Sequence, residues 1–209
     1  MIGTISSAHV RHRQDFIDEM RDIDLFSGKM YNLDVTSLFT NVPLDYVLQN
    51  LKLRYENGTS DCPLPIGEFL DLIRLCVEST VFTFNGTAYK QKSGVAMGSP
   101  LSPILANICM KFLEVEILNN CPVHFKPKLW VRYVDDVFIL FQFGERVFDE
   151  LSQYVNSHLQ SIQFTFEREL NNTLLFLDVS VFHNPNSLKF EFMVYRKPTS
   201  AELYIHFYS

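Results

Sequence analysis

The sequence feature that most constrains the fold is an apolar stretch, Trp130 to Phe141, interrupted by Asp135 and Asp136. β-Branched and aromatic residues flank the two acids, which predicts two strands of a hairpin. Two adjacent carboxylates at the edge of an apolar sheet repel each other and resist desolvation. A divalent cation such as Mg²⁺, which binds carboxylates together with substrate phosphates, would offset both effects. For this pair alone, a solvated turn is the simpler interpretation.

Length and composition are sufficient for one large domain, or one and a half small ones, with a sizeable core. The chain has 209 residues, of which 47% are hydrophobic and 20% charged, and 19 are Phe, so a disordered protein is excluded. The net charge of −6 argues weakly against a nucleic-acid-binding protein, which usually carries a basic face. A local basic groove remains compatible with this charge, and acids gathered at a metal site would lower the total.

Cysteine and histidine patterns predict no metal or disulfide framework. The four cysteines lack a Cys-x-x-Cys spacing and are interpreted as reduced thiols in the core or at its boundary; they are Cys62, Cys76, Cys109 and Cys121. His9 and His12 stand three apart without further ligands. The sequence contains no run of eighteen apolar residues and no leader, which predicts a soluble intracellular protein without a membrane partner.

Hydrophobic periodicity divides the chain into interspersed helices and strands. Helices are predicted over residues 8–28, 43–55, 66–80, 99–119 (with Ser102-Pro103 as a rival start) and 144–160. Strands are predicted over residues 30–35, 81–84, 87–90, the two arms of 130–141, 162–169, 174–182, 188–197 and, less distinctly, 202–209. Asn85-Gly86 suits a type I′ turn. Because βαβ alternation is absent, the expected class is α+β, an antiparallel sheet with helices on one face.

A third acid changes the interpretation of the Asp-Asp pair. Asp34 ends the apolar strand 30–35. If both elements lie centrally in one sheet, Asp34, Asp135 and Asp136 meet at one end of it. Metal ions held by such a cluster could clamp the attacking and leaving oxygens of an in-line phosphoryl transfer.

Five ordered segments together resemble reverse transcriptases. The resemblance is carried by LDVTSLF (33–39), GVAMGSPLSPILAN (94–107), YVDD (133–136), FLDVSVF (176–182) and VYRKPTS (194–200). The last two segments are similar to those of Penelope-like retroelement polymerases, which are relatives of telomerase reverse transcriptase. The resemblance spans roughly residues 28 to 205 and implies a polymerase palm-type fold with partial fingers.

The resemblance implies a chemistry for the three acids. Asp34 and Asp135 would ligate two Mg²⁺ ions, with Asp136 beside them. The 3′-hydroxyl of a DNA primer paired with an RNA template would attack the α-phosphate of a dNTP. By the same resemblance, the protein would work in the nucleus of its host.

Further site residues follow from the same motifs. Phe39 falls at the sugar-discriminating aromatic, where a ring under the ribose excludes a 2′-hydroxyl; a core Phe is the alternative. Gly94, Gly98 and Ser99 would shape the floor beneath the templating base pair. Tyr133 would pack near the primer end or face the core.

Basic residues supply the remaining candidates. Arg196 and Lys197 would contact primer phosphates, with a solvated strand end as the equal alternative. Lys90 and Lys92 would touch the template or be merely exposed.

The sequence departs from the family at two places. Met97 stands where many relatives have Gln, and only about thirty residues precede Asp34. The chain is therefore predicted to be a single palm-centred domain over residues 1–209, a fragment without full fingers or thumb. The alternatives are a catalytically inactive nucleic-acid-binding remnant and an RNA-templated RNA polymerase, which Phe39 disfavours. A generic Mg²⁺ phosphotransferase would not explain GVAMGSPLSP.

Overall fold

The computed structural model of the protein describes residues 6–21, 23, 27–57, 64–184, 186 and 189–195. The helices are Arg13–Arg21 (α1), Leu38–Asn41 (α2), Leu44–Glu56 (α3), Ile66–Glu78 (α4), Leu101–Asn120 (α5) and Glu145–Ser157 (α6), with a 3-10 turn at Val123–Phe125. The strands are Ser6–His9 (β1), Lys29–Val35 (β2), Val81–Phe84 (β3), Thr87–Lys90 (β4), Leu129–Tyr133 (β5), Asp136–Phe141 (β6), Phe164–Arg168 (β7), Thr173–Phe176 (β8), Val179–Asn184 (β9) and Lys189–Val194 (β10).

A five-stranded sheet in the order β1-β5-β6-β2-β7 organises the described part of the chain. The strand β1 runs parallel to β5, and the other neighbours are antiparallel. A smaller sheet has the order β10-β9-β8, and β3 pairs with β4 in a separate hairpin. The predicted α+β class is confirmed.

The five-stranded sheet is buried on both faces because successive side chains of a strand point to opposite sides. On one face, Leu33 and Val35 of β2 join the main core, to which α3, α5 and α6 contribute. On the other face, Met30 of β2 joins a second core with Phe16 of α1 and Phe176 of β8. Helices therefore form a layer on one face, as predicted, while α1 and the small sheet cover the other.

Local turn and cap signals predicted two elements well. The β3–β4 turn has positive φ at both central residues, 48° at Asn85 and 74° at Gly86, as a type I′ turn requires. Helix α5 begins at Leu101 with Pro100 at its N-cap, one residue after the start predicted from Ser99-Pro100 and before the rival start at Ser102-Pro103. The Leu101 N–H lies 3.4 Å from Ser99 Oγ.

Two predicted elements were wrong in extent. The proposed helix over residues 8–28 is only nine residues long, and strand β1 precedes it because its backbone pairs with the distant β5. The proposed strand over 174–182 is a hairpin of β8 and β9. It reverses at Leu177 and Asp178, which both have positive φ (50° and 59°) without a glycine to signal the turn.

Some sequence predictions can be compared with the structure for only some of their residues. Cys109 and Cys121 are buried free thiols as expected, Cys76 is exposed, and Cys62 lies outside the described residues. The predicted strand 202–209 also lies outside them. Within the described helices, none has the length and apolarity to span a membrane.

Candidate active site

The strand register brings Asp34 and Asp136 together. Asp34, near the end of β2, is the direct partner of Asp136, the first residue of β6. Directly opposed residues of an antiparallel pair point to the same face of the sheet, about 5 Å apart. Tyr133, the last residue of β5, is the partner of Asp136 on its other side. A row of three side chains thus crosses three strands at one end of the sheet.

Asp135 lies at the same end, in the two-residue turn that joins β5 to β6. Its carbonyl oxygen accepts a hydrogen bond from the Val35 N–H at 3.2 Å, which fixes the turn beside the end of β2. The predicted convergence of the three acids is therefore what the fold produces. One detail differs from the prediction: Asp136 belongs to the strand, and the turn residues are Val134 and Asp135.

The three carboxylates interact electrostatically. Burial, and then the charge of Asp135, raise the pKa of Asp34 above its ordinary value. The pKa of Asp136 is raised to about 6, first by burial and then by the charges of Asp135 and Asp34. A hydrogen bond from the Asn32 side chain opposes this rise. Like charges held this close favour the arrival of a cation.

The residues present fit Mg²⁺ as a shared rather than an enclosed ion. Among the described residues, no three His, Cys, Asp or Glu side chains are arranged to hold a metal ion by themselves. Mg²⁺, however, usually binds through one or two carboxylates and completes its shell with water and substrate phosphates. Asn32 Oδ1 is also buried without a hydrogen-bond partner in the described part of the chain, so an unsatisfied oxygen lies close to the acids.

The turn that carries Asp135 has an unfavourable backbone. Val134 has a φ of 54°, a left-handed conformation that costs a β-branched residue about 1–3 kcal/mol. Asp135 is not among the residues with positive φ, so within this turn the unfavourable conformation falls on Val134, at the first central position. The surrounding structure must hold this turn in place.

A buried polar network lies directly behind the turn. The Arg132 side chain is 2% exposed, and its Nη1 donates a hydrogen bond to the Val134 carbonyl at 3.0 Å. Its Nε lies 2.8 Å from Glu114 Oε2, an ion-pair contact whose angle falls short of a hydrogen bond. The other carboxylate oxygen of Glu114 accepts from Trp130 Nε1 at 2.8 Å.

Sequence reasoning missed this network and Asn32. Polar residues inside otherwise apolar elements were the available signal: Arg132 within an apolar strand, Glu114 within an apolar helix, and Asn32 two positions before Asp34. Charged residues are almost never fully buried unless they are paired. An oppositely charged pair on neighbouring apolar elements would therefore have predicted a buried contact.

The backbone segments that carry Phe39 and Gly94 lie in close contact. The Val95 N–H donates to the Phe39 carbonyl at 2.7 Å, and Gly94 has a φ of 71°. A Cβ added at Gly94 would lie 2.4 Å from the Thr40 carbonyl oxygen, so this position requires glycine. The Phe39 ring is half-buried against the main core, and both interpretations of it, sugar gate and core residue, are compatible with this placement.

The segment that follows is more open. Gly98 has a φ of 94° with free space where a Cβ would stand, so its backbone conformation rather than crowding favours glycine. Ser99 is half-buried at the start of α5. The Met97 side chain is 73% exposed, so the residue that replaces the usual Gln presents an apolar surface to solvent.

The remaining predicted contact residues differ in their burial. Tyr133 is half-buried and packs against the second core, while Lys90 and Lys92 are exposed. Lys92 also lines a cavity of about 350 Å³ next to Thr40 and Gly94. Arg196 and Lys197 lie outside the described residues, and the roles of all these side chains stay predictions.

Comparison with solved structures supports the fold. The chain matches telomerase from Candida albicans in complex with a fragment of telomeric RNA, with a TM-score of 0.65 and 16% identity over 89% of this chain and 35% of that one. It matches apo telomerase from Candida tropicalis, truncated from its C-terminal domain, with a TM-score of 0.62 and 13% identity over 89% of this chain and 40% of that one. The chain thus spans well under half of these telomerase chains.

Sequence comparison identifies the family. No curated protein sequence matches the chain significantly. The family model described as "Reverse transcriptase (RNA-dependent DNA polymerase)" matches residues 12–180, which include the three aspartates, Phe39 and the segment from Gly94 to Ser99. The chain therefore belongs to the reverse transcriptase family.

Proposed function

We propose that this reverse transcriptase domain extends a DNA primer on an RNA template with dNTPs, and that Asp34, Asp135 and Asp136 hold the metal ions of the reaction. The observation that carries the proposal is the direct pairing of Asp34 with Asp136, with Asp135 hydrogen-bonded beside them. Three interacting carboxylates at an exposed sheet end suit a reaction on an anionic phosphate.

The proposed reaction is an in-line displacement. The primer 3′-oxygen loses its proton and forms a bond to the α-phosphorus of the dNTP, and the bond to pyrophosphate breaks. Two Mg²⁺ ions, when bound, would stabilise the attacking and leaving oxygens. The chain's own contribution is to fix the three carboxylates by strand register and by the Val35–Asp135 hydrogen bond.

Primer extension on an RNA template tests the assignment. Asp135→Asn keeps the shape of the side chain and removes its charge, so we expect at least a roughly hundredfold loss of extension rate. Asp18→Asn, an exposed acid on α1, is the matched control and should keep the wild-type rate. Equal rates for Asp135→Asn and wild type would refute the role of the acid cluster.

No extension by the wild-type protein would favour the alternative function, a non-catalytic nucleic-acid-binding remnant. We propose, from the motif resemblance, that the domain derives from a Penelope-like retroelement and works in the nucleus. Neither the source nor the location affects the primer-extension test.

Sugar selection tests the predicted gate. The tight Gly94–Thr40 contact and the Val95–Phe39 hydrogen bond restrain the backbone of Phe39, and its ring packs against the main core. Phe39→Ala should raise ribonucleotide incorporation relative to deoxyribonucleotide by about tenfold or more, because the steric exclusion is removed. Phe143→Ala, another half-buried Phe against the main core, is the control. Unchanged selectivity in Phe39→Ala would assign Phe39 to the core alone.

A further inference from the structure

We propose that Arg132 is a positioning residue that holds the Val134–Asp135 turn in the conformation that presents Asp135. Its effect on nucleotide addition rests on the proposed polymerase function, whereas its effect on the turn does not. Arg132 is on β5, three residues before Asp135, and the sequence motifs assign it no role.

Both peptide groups that flank Asp135 are held by hydrogen bonds from outside the turn. The carbonyl before it, that of Val134, accepts from Arg132 Nη1 at 3.0 Å. The carbonyl of Asp135 itself accepts from the Val35 N–H at 3.2 Å. Since Val134 has an unfavourable positive φ, the turn would relax to other conformations without such restraints.

Arg132 is in turn oriented by helix α5. Glu114 Oε2 lies 2.8 Å from its Nε, and Asn107 Oδ1 accepts from its Nη2 at 3.0 Å. Three nitrogens of one planar group thus meet three different partners, which fixes the guanidinium in a single orientation. Trp130 Nε1, bonded to the second oxygen of Glu114, fixes the carboxylate as well.

The network links two parts of the site through one rigid element. Helix α5 begins at Leu101, directly after the Gly94–Ser99 segment, and carries Asn107 and Glu114 to the back of the acid turn. A displacement of α5 would therefore reach the Val134 carbonyl through Arg132. Arg132 consequently couples the position of Asp135 to that of the segment next to Phe39.

Arg132→Lys is the informative variant because it keeps the buried positive charge beside Glu114. A lysine has a single nitrogen and cannot contact Glu114, Asn107 and the Val134 carbonyl in the same fixed fork. Arg168→Lys is the matched control, since Arg168 is an ion-paired residue on β7 of the same sheet whose partners, Glu145 and Asp149, lie on α6. If Arg132→Lys does not fold, the neutral pair Arg132→Gln with Glu114→Gln replaces it.

Amide hydrogen exchange at Val35 provides a readout that does not depend on catalysis. This N–H bonds the Asp135 carbonyl, so we expect Arg132→Lys to speed its exchange by about tenfold, with Arg168→Lys unchanged. We also expect kcat for primer extension to fall by about tenfold to a hundredfold, because small displacements at a reacting centre have effects of this size. The Tm of each variant is measured alongside.

Rescue separates positioning from general stability. Val134→Gly removes the backbone strain at the turn, so added to Arg132→Lys it should slow the Val35 exchange and recover at least about threefold of the lost kcat. Val35 exchange within twofold of wild type in Arg132→Lys, or no recovery of exchange by Val134→Gly, would overturn the proposal. A wild-type protein without primer extension would refute the proposed function, and the exchange result would still decide the role of Arg132.

Discussion

Two hairpins of this protein, β3–β4 and β5–β6, both reverse direction over two residues but differ in their turn residues and in the burial of their strands. In β3–β4 the turn is Asn85-Gly86, residues that adopt positive φ readily, and all strand residues are exposed. In β5–β6 the turn contains Val134, which does not, and the strands are almost wholly buried.

The difference shows where each turn gets its stability. The β3–β4 turn is stabilised by the conformational preferences of its own two residues, so it does not require its strands to be buried. The β5–β6 turn is imposed by the sheet on both sides, by Arg132 behind it and by Val35 beside it. A backbone held from outside can place two acids where local preference would not, and unfavourable conformations that persist in this way cluster at functional sites.

Truncation of one aromatic in each hairpin should give the largest contrast in stability. Phe138 of β6 is fully buried and its ring lies 4.9 Å from that of Phe16, so Phe138→Ala should lower the free energy of unfolding by about 3–5 kcal/mol. Phe84 of β3 is 64% exposed, and Phe84→Ala should change it by less than about 0.5 kcal/mol. Chemical denaturation measures both; similar losses would contradict the contrast.

The acid hairpin should also make stability depend on pH. The pKa of Asp136 in the folded protein, about 6, lies above its ordinary value of 3.8, so ionisation of this group opposes folding. Its stabilising contribution is complete below about pH 4 and is lost as pH rises to about 6. Without Mg²⁺, Asp136→Asn should raise the free energy of unfolding at pH 7 by about 1–2 kcal/mol, less than the full pKa shift would give because solvent screens this partly exposed group. The gain should shrink on acidification to pH 4; a destabilised variant at pH 7 would contradict this assignment.

Substitutions in the two turns should have small effects of opposite sign. Gly86→Ala places a side chain at a φ of 74° and should destabilise the protein by about 1 kcal/mol. Val134→Gly relieves strain but increases the entropy of the unfolded chain, so a stabilisation of no more than about 1 kcal/mol is expected. Thermal unfolding of both variants measures the sign. Destabilisation by Val134→Gly larger than that by Gly86→Ala would mean that the Val134 side chain stabilises the turn.

Local signals predicted the parts of the fold that depend on neighbours in sequence. Asn85-Gly86 identified its turn, Ser99-Pro100 identified the start of α5 to within one residue, and the apolar strands around Asp34 and Asp135 identified the acid end of the sheet. Each of these depends on a conformational preference or a periodicity that a few adjacent residues carry.

Features that depend on distant partners could not be predicted in the same way. Strand β1 forms because its backbone pairs with β5, and the local sequence of residues 6–9 does not indicate that partner. The turn at Leu177-Asp178 has no glycine or asparagine, so tertiary packing of β8 and β9 must impose it. Arg132 and Glu114 are eighteen positions apart on different elements, and only the folded sheet brings them into contact.

The pairing of β1 with β5 bears on how the protein is made. Ser6 is matched with Leu129, so β1 has no strand to pair with until the ribosome has added about 120 further residues, on the order of ten seconds of synthesis. During that interval the unpaired backbone of β1 can associate with other nascent chains. The segment that completes the sheet is thus translated before its partner and docks only after β5 has emerged, and a chaperone that shields β1 would act during this delay.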